Sequence, residues 1–162
     1  ALPTQLFFLF QRVQQIEQLR QPDMFHNTRI ADFILEKDRL FAGINLDRHE
    51  LSLYERVWDS LQIQLPVPDL VVYLQAPVDT LLFRIAHRGL DYEQRIGRRY
   101  LERLTEAYAR FFHAFDAAPL LIVNAATMDP VHNDGHFALL REEIDRIRSG
   151  RHFFNPVTAA LA

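Results

Sequence analysis

Helical patterns alternate with short apolar runs along much of this chain, and this alternation constrains the fold more than any other feature. The runs from Leu70 to Leu74 and from Pro119 to Asn124 have the length and apolar content of buried strands. Helical patterns separate them over residues 78–88 and 98–115. Strands that alternate with helices form parallel sheets, because each crossover must carry the chain back along the sheet. The sequence therefore predicts an α/β fold with a parallel sheet flanked by helices.

The remaining elements follow from the same kind of pattern. A further strand is predicted over Thr28 to Leu35, where the charged Asp32 lies inside an apolar run. Helices are predicted over residues 4–20, 36–42, 50–61 and 137–148, and Pro22 is expected to end the first. A chain of 162 residues with 49% hydrophobic content can bury one real core. We expect a single domain over residues 1–162.

The first helix is apolar on more than one side. Leucines, valine and isoleucine recur at helical spacing, and Phe7, Phe8 and Phe10 widen the apolar face. Such a helix packs against more than one neighbour, and a second subunit is one candidate. We expect a homodimer.

Composition excludes several classes of function. The formal net charge of −3 argues against binding to nucleic acid. The chain has no cysteine, no apolar run of membrane-spanning length and no signal-peptide pattern at its start. We expect a soluble, cytoplasmic protein with neither nucleic acid nor membrane as a partner.

Two arginines follow the strand at Leu70–Leu74. Arg84 and Arg88 lie one turn apart on the next helix, and Gly89 allows that helix to stop directly after Arg88. The polar loop from Leu90 to Gly97 then suits a lid. Paired arginines hold anionic phosphate well, although a solvated helix face can also carry them. Because ligands of such folds bind at the carboxyl ends of the strands, we expect the site there.

A longer set of residues resembles one family, the deoxynucleoside kinases of the thymidine-kinase-like P-loop group, and especially the bacterial deoxyadenosine and deoxyguanosine kinases. The resemblance covers nearly the whole chain. It is carried by Pro3-Thr4-Gln5 with Arg12, Phe41-Ala42 with Asn45-Leu46, Tyr73-Leu-Gln-Ala-Pro-Val-Asp-Thr80, Arg84-x-x-x-Arg88-Gly89, Glu93 and Tyr100-Leu101-Glu102-x-Leu104.

The resemblance implies a three-layer α/β/α fold of the P-loop kinase type. It also implies the reaction, in which the 5′-hydroxyl of a deoxynucleoside, here a purine, attacks the γ-phosphate of ATP held with Mg²⁺. The expected small-molecule partners are thus a deoxynucleoside and ATP. Another P-loop kinase of small molecules, such as a nucleoside monophosphate kinase, and a non-catalytic binding module stay open as alternatives.

Roles for the deoxynucleoside site follow from the matching positions. The resemblance makes Gln5 the reader of the nucleobase, since a carboxamide offers a donor and an acceptor side by side. Arg12, two turns on, reaches the same base or an acidic partner near it. Phe41 stacks on the base, and Glu93 accepts a hydrogen bond from the sugar 3′-hydroxyl. For Gln5 and Arg12, a polar rim on a hydrophobic helix is the structural alternative, and for Phe41 a place in the core.

Roles on the phosphate side come from the resemblance as well. Arg84 and Arg88 close over the donor phosphates, and Asn124 borders the adenine of ATP. Where many members carry Glu-Arg-Ser or Asp-Arg-Ser, this chain has Ala31-Asp32-Phe33. Our hypothesis is that Lys37 supplies the missing positive charge and Asp32 helps with Mg²⁺ or its waters, an internal salt bridge being the alternative. No metal site built from protein ligands alone is predicted.

Two further departures weaken the match. Leu90 replaces an arginine that often follows the lid glycine, which lowers the expected strength of the phosphate clamp. None of the five glycines begins a G-x-x-x-x-G-K-[ST] phosphate loop. We therefore expect the first strand, the P-loop and the second strand with its general base to be missing from this N-terminally incomplete chain, which as written should not turn over.

Overall fold

A computed structural model describes residues 1–20, 28–64, 66–91 and 93–156. The chain divides into two compact units, Ala1–Pro66 (unit 1) and Val67–Ala162 (unit 2). Among the helices of the described ranges, none combines the length and apolar character needed to cross a lipid bilayer.

Unit 1 consists of three helices. They are α1 (Leu2–Arg20), α2 (Glu36–Asn45) and α3 (Arg48–Ser60). The start of α3 is fixed by a capping box, in which the Asp47 carboxylate accepts from the backbone of His49 and Glu50 while Glu50 accepts from Asp47. This cap explains why α3 begins two residues before the predicted start.

The core of unit 1 is formed by one face of each helix together with the residue before α2. Tyr54 of α3 lies at its centre and is fully buried. The buried members of the cluster are Leu9, Ile16, Leu35, Ala42, Leu46 and Tyr54. The i, i+7 spacing of Leu9 and Ile16 confirms the predicted inward face of the first helix.

The strand predicted over Thr28 to Leu35 is wrong. These residues are irregular, and no described residue of unit 1 belongs to a strand. A strand requires a neighbour that pairs with its backbone N–H and C=O groups, and an apolar run alone does not supply one. Instead, Leu35 is buried in the helical core, and Phe33 packs against that core. Pro22, expected to end the first helix, lies outside the described residues; α1 itself ends at Arg20.

Unit 2 carries the sheet. Its elements in chain order are β1 (Val71–Gln75), α4 (Val78–Arg88), α5 (Arg98–Ala114), β2 (Leu120–Asn124), α6 (Asp134–Arg146) and β3 (Arg151–Phe154). The strand order is β1-β2-β3, and both pairings are parallel. The predicted parallel α/β architecture is thus confirmed. β1 lies one residue later than predicted, and β2 begins one residue later and ends at the predicted residue.

Two elements of unit 2 differ from their predictions. α6 begins at Asp134 because the Asn133 side chain caps it by accepting from the backbone of His136 at 3.0 Å. β3 was not predicted, since it has only four residues and three of them are exposed, so it shows neither a long apolar run nor a regular alternation.

Packing on the sheet comes from apolar and aromatic side chains. Tyr73 of β1 stacks on Phe112 of α5, with ring centroids 4.3 Å apart. The buried residues Leu121, Val123, Met128 and Ile147 form a second core cluster. The central strand β2 is therefore the most deeply packed element of the sheet described.

Shortening a buried side chain of the central strand tests this packing. Leu121→Ala is expected to lower the free energy of unfolding by about 2–5 kcal/mol, because Leu121 is fully buried and its loss leaves a cavity. Leu74→Ala, at a half-exposed position of the neighbouring strand, serves as the control and should cost less than about 1 kcal/mol. Urea unfolding of both variants measures the difference; equal losses would contradict the buried position of Leu121.

Candidate functional site

The residues predicted from sequence fall into two groups, one in each unit. Unit 1 holds Gln5, Arg12, Asp32, Lys37 and Phe41, and unit 2 holds Arg84, Arg88, Glu93 and Asn124.

Arg12 organises the group in unit 1. It lies on α1 two turns after Gln5, whose side chain is buried although polar. The Arg12 guanidinium lies over the ring of Phe33, 4.4 Å from its centroid. Its Nη1 atom is 4.0 Å from Oδ1 of Asp32, whose side chain is 97% exposed. Arg12 thus pairs only loosely with Asp32, and that carboxylate remains largely in solvent.

Lys37 stands at the start of α2 beside this group. Burial lowers the pKa of its ammonium, and the positive charge of Arg12 lowers that pKa further. The carboxylates of Asp32 and Asp38 act in the opposite direction but do not outweigh these two effects. Among the described residues of unit 1, burial and Arg12 therefore disfavour the charged form of Lys37. Phe41, one turn further along α2, is partly buried.

Asp38 is a residue that sequence reasoning missed. Its side chain is buried, and its Oδ2 atom has no hydrogen-bond partner among the described residues; the same holds for the hydroxyl of the fully buried Tyr54. Burial raises the pKa of Asp38. The run Glu36-Lys-Asp-Arg39 resembles a solvated face, but Asp38 shares the inward face of α2 with Leu35, Ala42 and Leu46, and that spacing is a signal that could have identified it.

Arg84 lies at the carboxyl end of the sheet in unit 2. Its Nη2 atom donates to the carbonyl oxygens of Ala125 at 2.6 Å and of Met128 at 2.9 Å. Both carbonyls belong to the loop that follows β2. The position agrees with the predicted edge of the sheet, and the contacts give Arg84 a structural role that sequence reasoning did not foresee.

Asn124 folds the start of the same loop. Its Oδ1 atom accepts from the backbone N–H of Ala126 at 3.0 Å, and its Nδ2 atom donates to Oδ1 of Asn155 at 3.3 Å. The structure therefore brings Arg84 and Asn124 to one loop, where both hold backbone in place.

Arg88 and Glu93 form an ion pair. Arg88 is the last residue of α4, which ends because Gly89 adopts the left-handed conformation (φ 70°). The Arg88 Nη1 atom is 3.0 Å from Oε1 of Glu93. The structure thus joins two side chains to which the family resemblance gave different ligands, phosphate for Arg88 and the sugar for Glu93.

Comparison with known proteins decides the family. A family model described as deoxynucleoside kinase matches residues 1–147. This chain belongs to the deoxynucleoside kinase family. A deoxyguanosine kinase of Bacillus subtilis (strain 168) is 32% identical over 145 residues, covering 88% of this chain and 68% of the relative. A deoxyadenosine kinase of Lactobacillus acidophilus is 27% identical over 153 residues, covering 86% and 69%. The predicted membership and kinase class are confirmed.

Solved structures agree on the fold of this kinase. A deoxyadenosine kinase from M. mycoides, solved with the products dCMP and a flexible dCDP, has a TM-score of 0.74 at 24% identity. The same protein with dCTP bound gives a TM-score of 0.66 at 21% identity. Each match covers 90% of this chain and 74% of the other. The predicted fold of the P-loop kinase type is confirmed.

The raised pKa of Asp38 predicts a pH-dependent stability. Folded protein holds this proton at pH values where the unfolded chain has lost it, so the contribution of the carboxyl group is full below about pH 4 and falls as the pH rises through the folded pKa. Asp38→Asn has no carboxyl group at this position, so its stability should not fall in this way as the pH rises. The melting temperature of the variant minus that of the native protein should grow between about pH 4 and about pH 7.

The matched control for this measurement is Asp59→Asn, since Asp59 is an exposed carboxylate of α3. The melting temperature of Asp59→Asn minus that of the native protein should change little across the same pH range. A constant difference for Asp38→Asn as well would refute the raised pKa.

The contacts of Arg84 predict a structural cost of its removal. Arg84→Ala leaves two carbonyls without their charged donor and should lower the free energy of unfolding by about 1–3 kcal/mol. Arg99→Ala, at an exposed arginine of α5, is the control and should have a much smaller effect. Urea unfolding separates the two; similar values would argue against the anchoring role.

Proposed function

We propose that this protein transfers the γ-phosphate of ATP to the 5′-hydroxyl of a purine deoxynucleoside. Two relatives that match most of the chain are a deoxyguanosine kinase and a deoxyadenosine kinase. The structural observation that carries the proposal is the position of Arg84 and Arg88 on the helix that follows β1, with Arg84 bonded to the loop at the carboxyl end of β2. Nucleotides bind at that end of parallel sheets.

Recognition of the deoxynucleoside is assigned to Gln5, Arg12, Phe41 and Glu93. Gln5 offers the base a donor and an acceptor in one plane, and Phe41 offers a stacking surface. Arg12 reaches the base edge or holds an acidic neighbour; its cation–π contact with Phe33 supports a fixed orientation. Glu93 accepts a hydrogen bond from the 3′-hydroxyl.

Charge stabilisation of the transferred phosphoryl group is assigned to Arg84, Arg88 and Lys37. Fixed cations stabilise the charge that is spread over the phosphoryl oxygens during transfer. The lowered pKa of Lys37 supports this role, because an ammonium disfavoured by burial and by Arg12 gains when an anion approaches. Asn124, at the start of the loop after β2, borders the adenine of ATP.

Mg²⁺ is assigned to Asp32 through its hydration shell. In the described part of the chain, no group of three or more acidic or histidine side chains is arranged to hold a metal ion. The Asp32 carboxylate is nevertheless 97% exposed, and Mg²⁺ in kinases keeps several waters and takes one or two carboxylates beside the nucleotide phosphates. One carboxylate therefore fits the ion, which would neutralise charge on the phosphates of ATP.

We also propose a cytoplasmic homodimer. Phe7, Phe8 and Phe10 remain exposed on α1, and large apolar side chains clustered on one helix are typical of a surface covered by another subunit.

Ligand-dependent melting of the full-length protein tests the function. Deoxyguanosine or deoxyadenosine at about 100 times its Kd should stabilise the fold by about 2.7 kcal/mol, since a ligand that binds only the folded state shifts unfolding by mass action. Phosphorylation by ATP should follow the same preference for purines. Gln5→Ala should weaken both effects, whereas Gln14→Ala, exposed on the same helix, should not.

The remaining outcomes point elsewhere. Stabilisation by deoxynucleoside monophosphates alone would favour a nucleoside monophosphate kinase. No response to any nucleoside or nucleotide would favour a non-catalytic binding module.

A further inference from the structure

The described residues of the loop after α4 form hydrogen bonds with one another and with the end of α4. The carbonyl of Leu90 accepts from the backbone N–H groups of Glu93 at 2.9 Å and of Gln94 at 3.2 Å. The Gln94 side-chain amide donates to the carbonyl of Ile85 in the last turn of α4 at 3.1 Å. The Ile85 carbonyl also accepts from the backbone N–H of Gly89 at 3.3 Å, so the Gln94 bond adds a tie between the loop and the end of α4. The backbone of Glu93 is therefore fixed relative to α4.

The two carboxylate oxygens of Glu93 have different surroundings. Oε1 accepts from Nη1 of Arg88, while Oε2 is buried and has no hydrogen-bond partner among the described residues. The Glu93 side chain is only 15% exposed, whereas that of Arg88 is 61% exposed. A buried carboxylate oxygen without a donor is costly. Such atoms are uncommon in native folds, and a catalytic role or a bound water or ion is among their explanations.

We propose that Arg88 is a positioning residue for Glu93. By holding Oε1, it directs Oε2 toward the 3′-hydroxyl of the deoxyribose, which donates the missing hydrogen bond. This inference rests on the proposed function and deepens it, because it makes recognition of the 3′-hydroxyl depend on an arginine that the sequence assigned to phosphate alone.

The geometry of the pair agrees with this role. The contact with Glu93 uses one donor of a guanidinium that has five N–H groups, so Arg88 can hold the carboxylate and still offer donors to a phosphate. The exposed arginine lies on the outer side of a mostly buried carboxylate, where it can fix the carboxylate without occupying its inner oxygen. An ion pair of this exposure contributes little to stability, so its main effect should be on binding.

Calorimetry on the full-length protein tests the proposal with two probes, 2′-deoxyguanosine and 2′,3′-dideoxyguanosine. The native protein should bind the first about tenfold or more tightly than the second, since a hydrogen bond to a charged group is lost with the 3′-hydroxyl. Arg88→Gln should remove most of this preference by weakening only 2′-deoxyguanosine. The Kd of the dideoxynucleoside should change by less than about twofold.

Four further variants test whether the effect is specific to the contact between Arg88 and Glu93. Glu93→Gln should lose the same preference, and the double variant should lose no more than Glu93→Gln alone, because the two residues act through one contact. Arg88→Lys should keep part of the preference, since it keeps the charge but not the fork of donors. Arg95→Gln, at an exposed position of the same loop, is the matched control and should behave as the native protein does.

The outcomes distinguish this inference from the proposed function. Equal weakening of both probes by Arg88→Gln, or an unchanged preference, would overturn the positioning role while the kinase assignment stands. Failure of the native protein to bind any purine deoxynucleoside would overturn the proposed function and this inference together. If Arg88→Gln does not melt as a folded protein, Arg88→Lys decides the question, and an unchanged preference in that variant would overturn the inference.

Discussion

The parallel pairing of β1 with β2 is the constraint on which the site in unit 2 depends. Its register places Gln75 opposite Asn124, so both strands end at the same edge of the sheet. The chain leaves β1 there to form α4 and leaves β2 there to form the loop that Arg84 holds through two carbonyls. A shift of register by one residue would turn each side chain of β1 to the opposite face, and the contact between Tyr73 and Phe112 that packs α5 on the sheet would be lost.

The sequence predicted those elements whose formation depends on residues within a single segment of the chain. The helices and the two buried strands follow from periodicity within one segment, and each is found within three residues of its predicted start. The failure over residues 28–35 has a non-local cause, because an apolar run becomes a strand only where a neighbour pairs with it. β3 was missed because its own residues are mostly exposed and show no strand pattern. It is a strand because it pairs with β2.

The candidate site shows the same difference between local features, which the sequence predicted, and contacts between residues distant in sequence, which it did not. Residue types and spacing made Arg84 and Arg88 candidates, and the family resemblance added Glu93, but neither predicted which of these side chains touch. Arg84 bonds to backbone carbonyls across 41 and 44 residues of sequence, a distance over which no local pattern carries information. Asp38 was missed for another reason, since a charge pattern typical of solvent outweighed the inward spacing that it shares with Leu35 and Ala42. Helical position was the better guide, because burial follows the face of the helix.

The charged side chains of the candidate residues differ between the two units in how far other groups of the protein pair with them. The pKa shifts of Lys37 and Asp38 show that burial disfavours the charged form of each side chain in unit 1. An anion near Lys37 would offset that cost, whereas an anion near Asp38 would add to it. In unit 2, Arg84 and Arg88 are already engaged by carbonyls and by a carboxylate. Contacts within the folded chain therefore orient both guanidinium groups. Under the proposed function, in which these arginines bind phosphate, this ordering would reduce the side-chain entropy that has to be lost on binding.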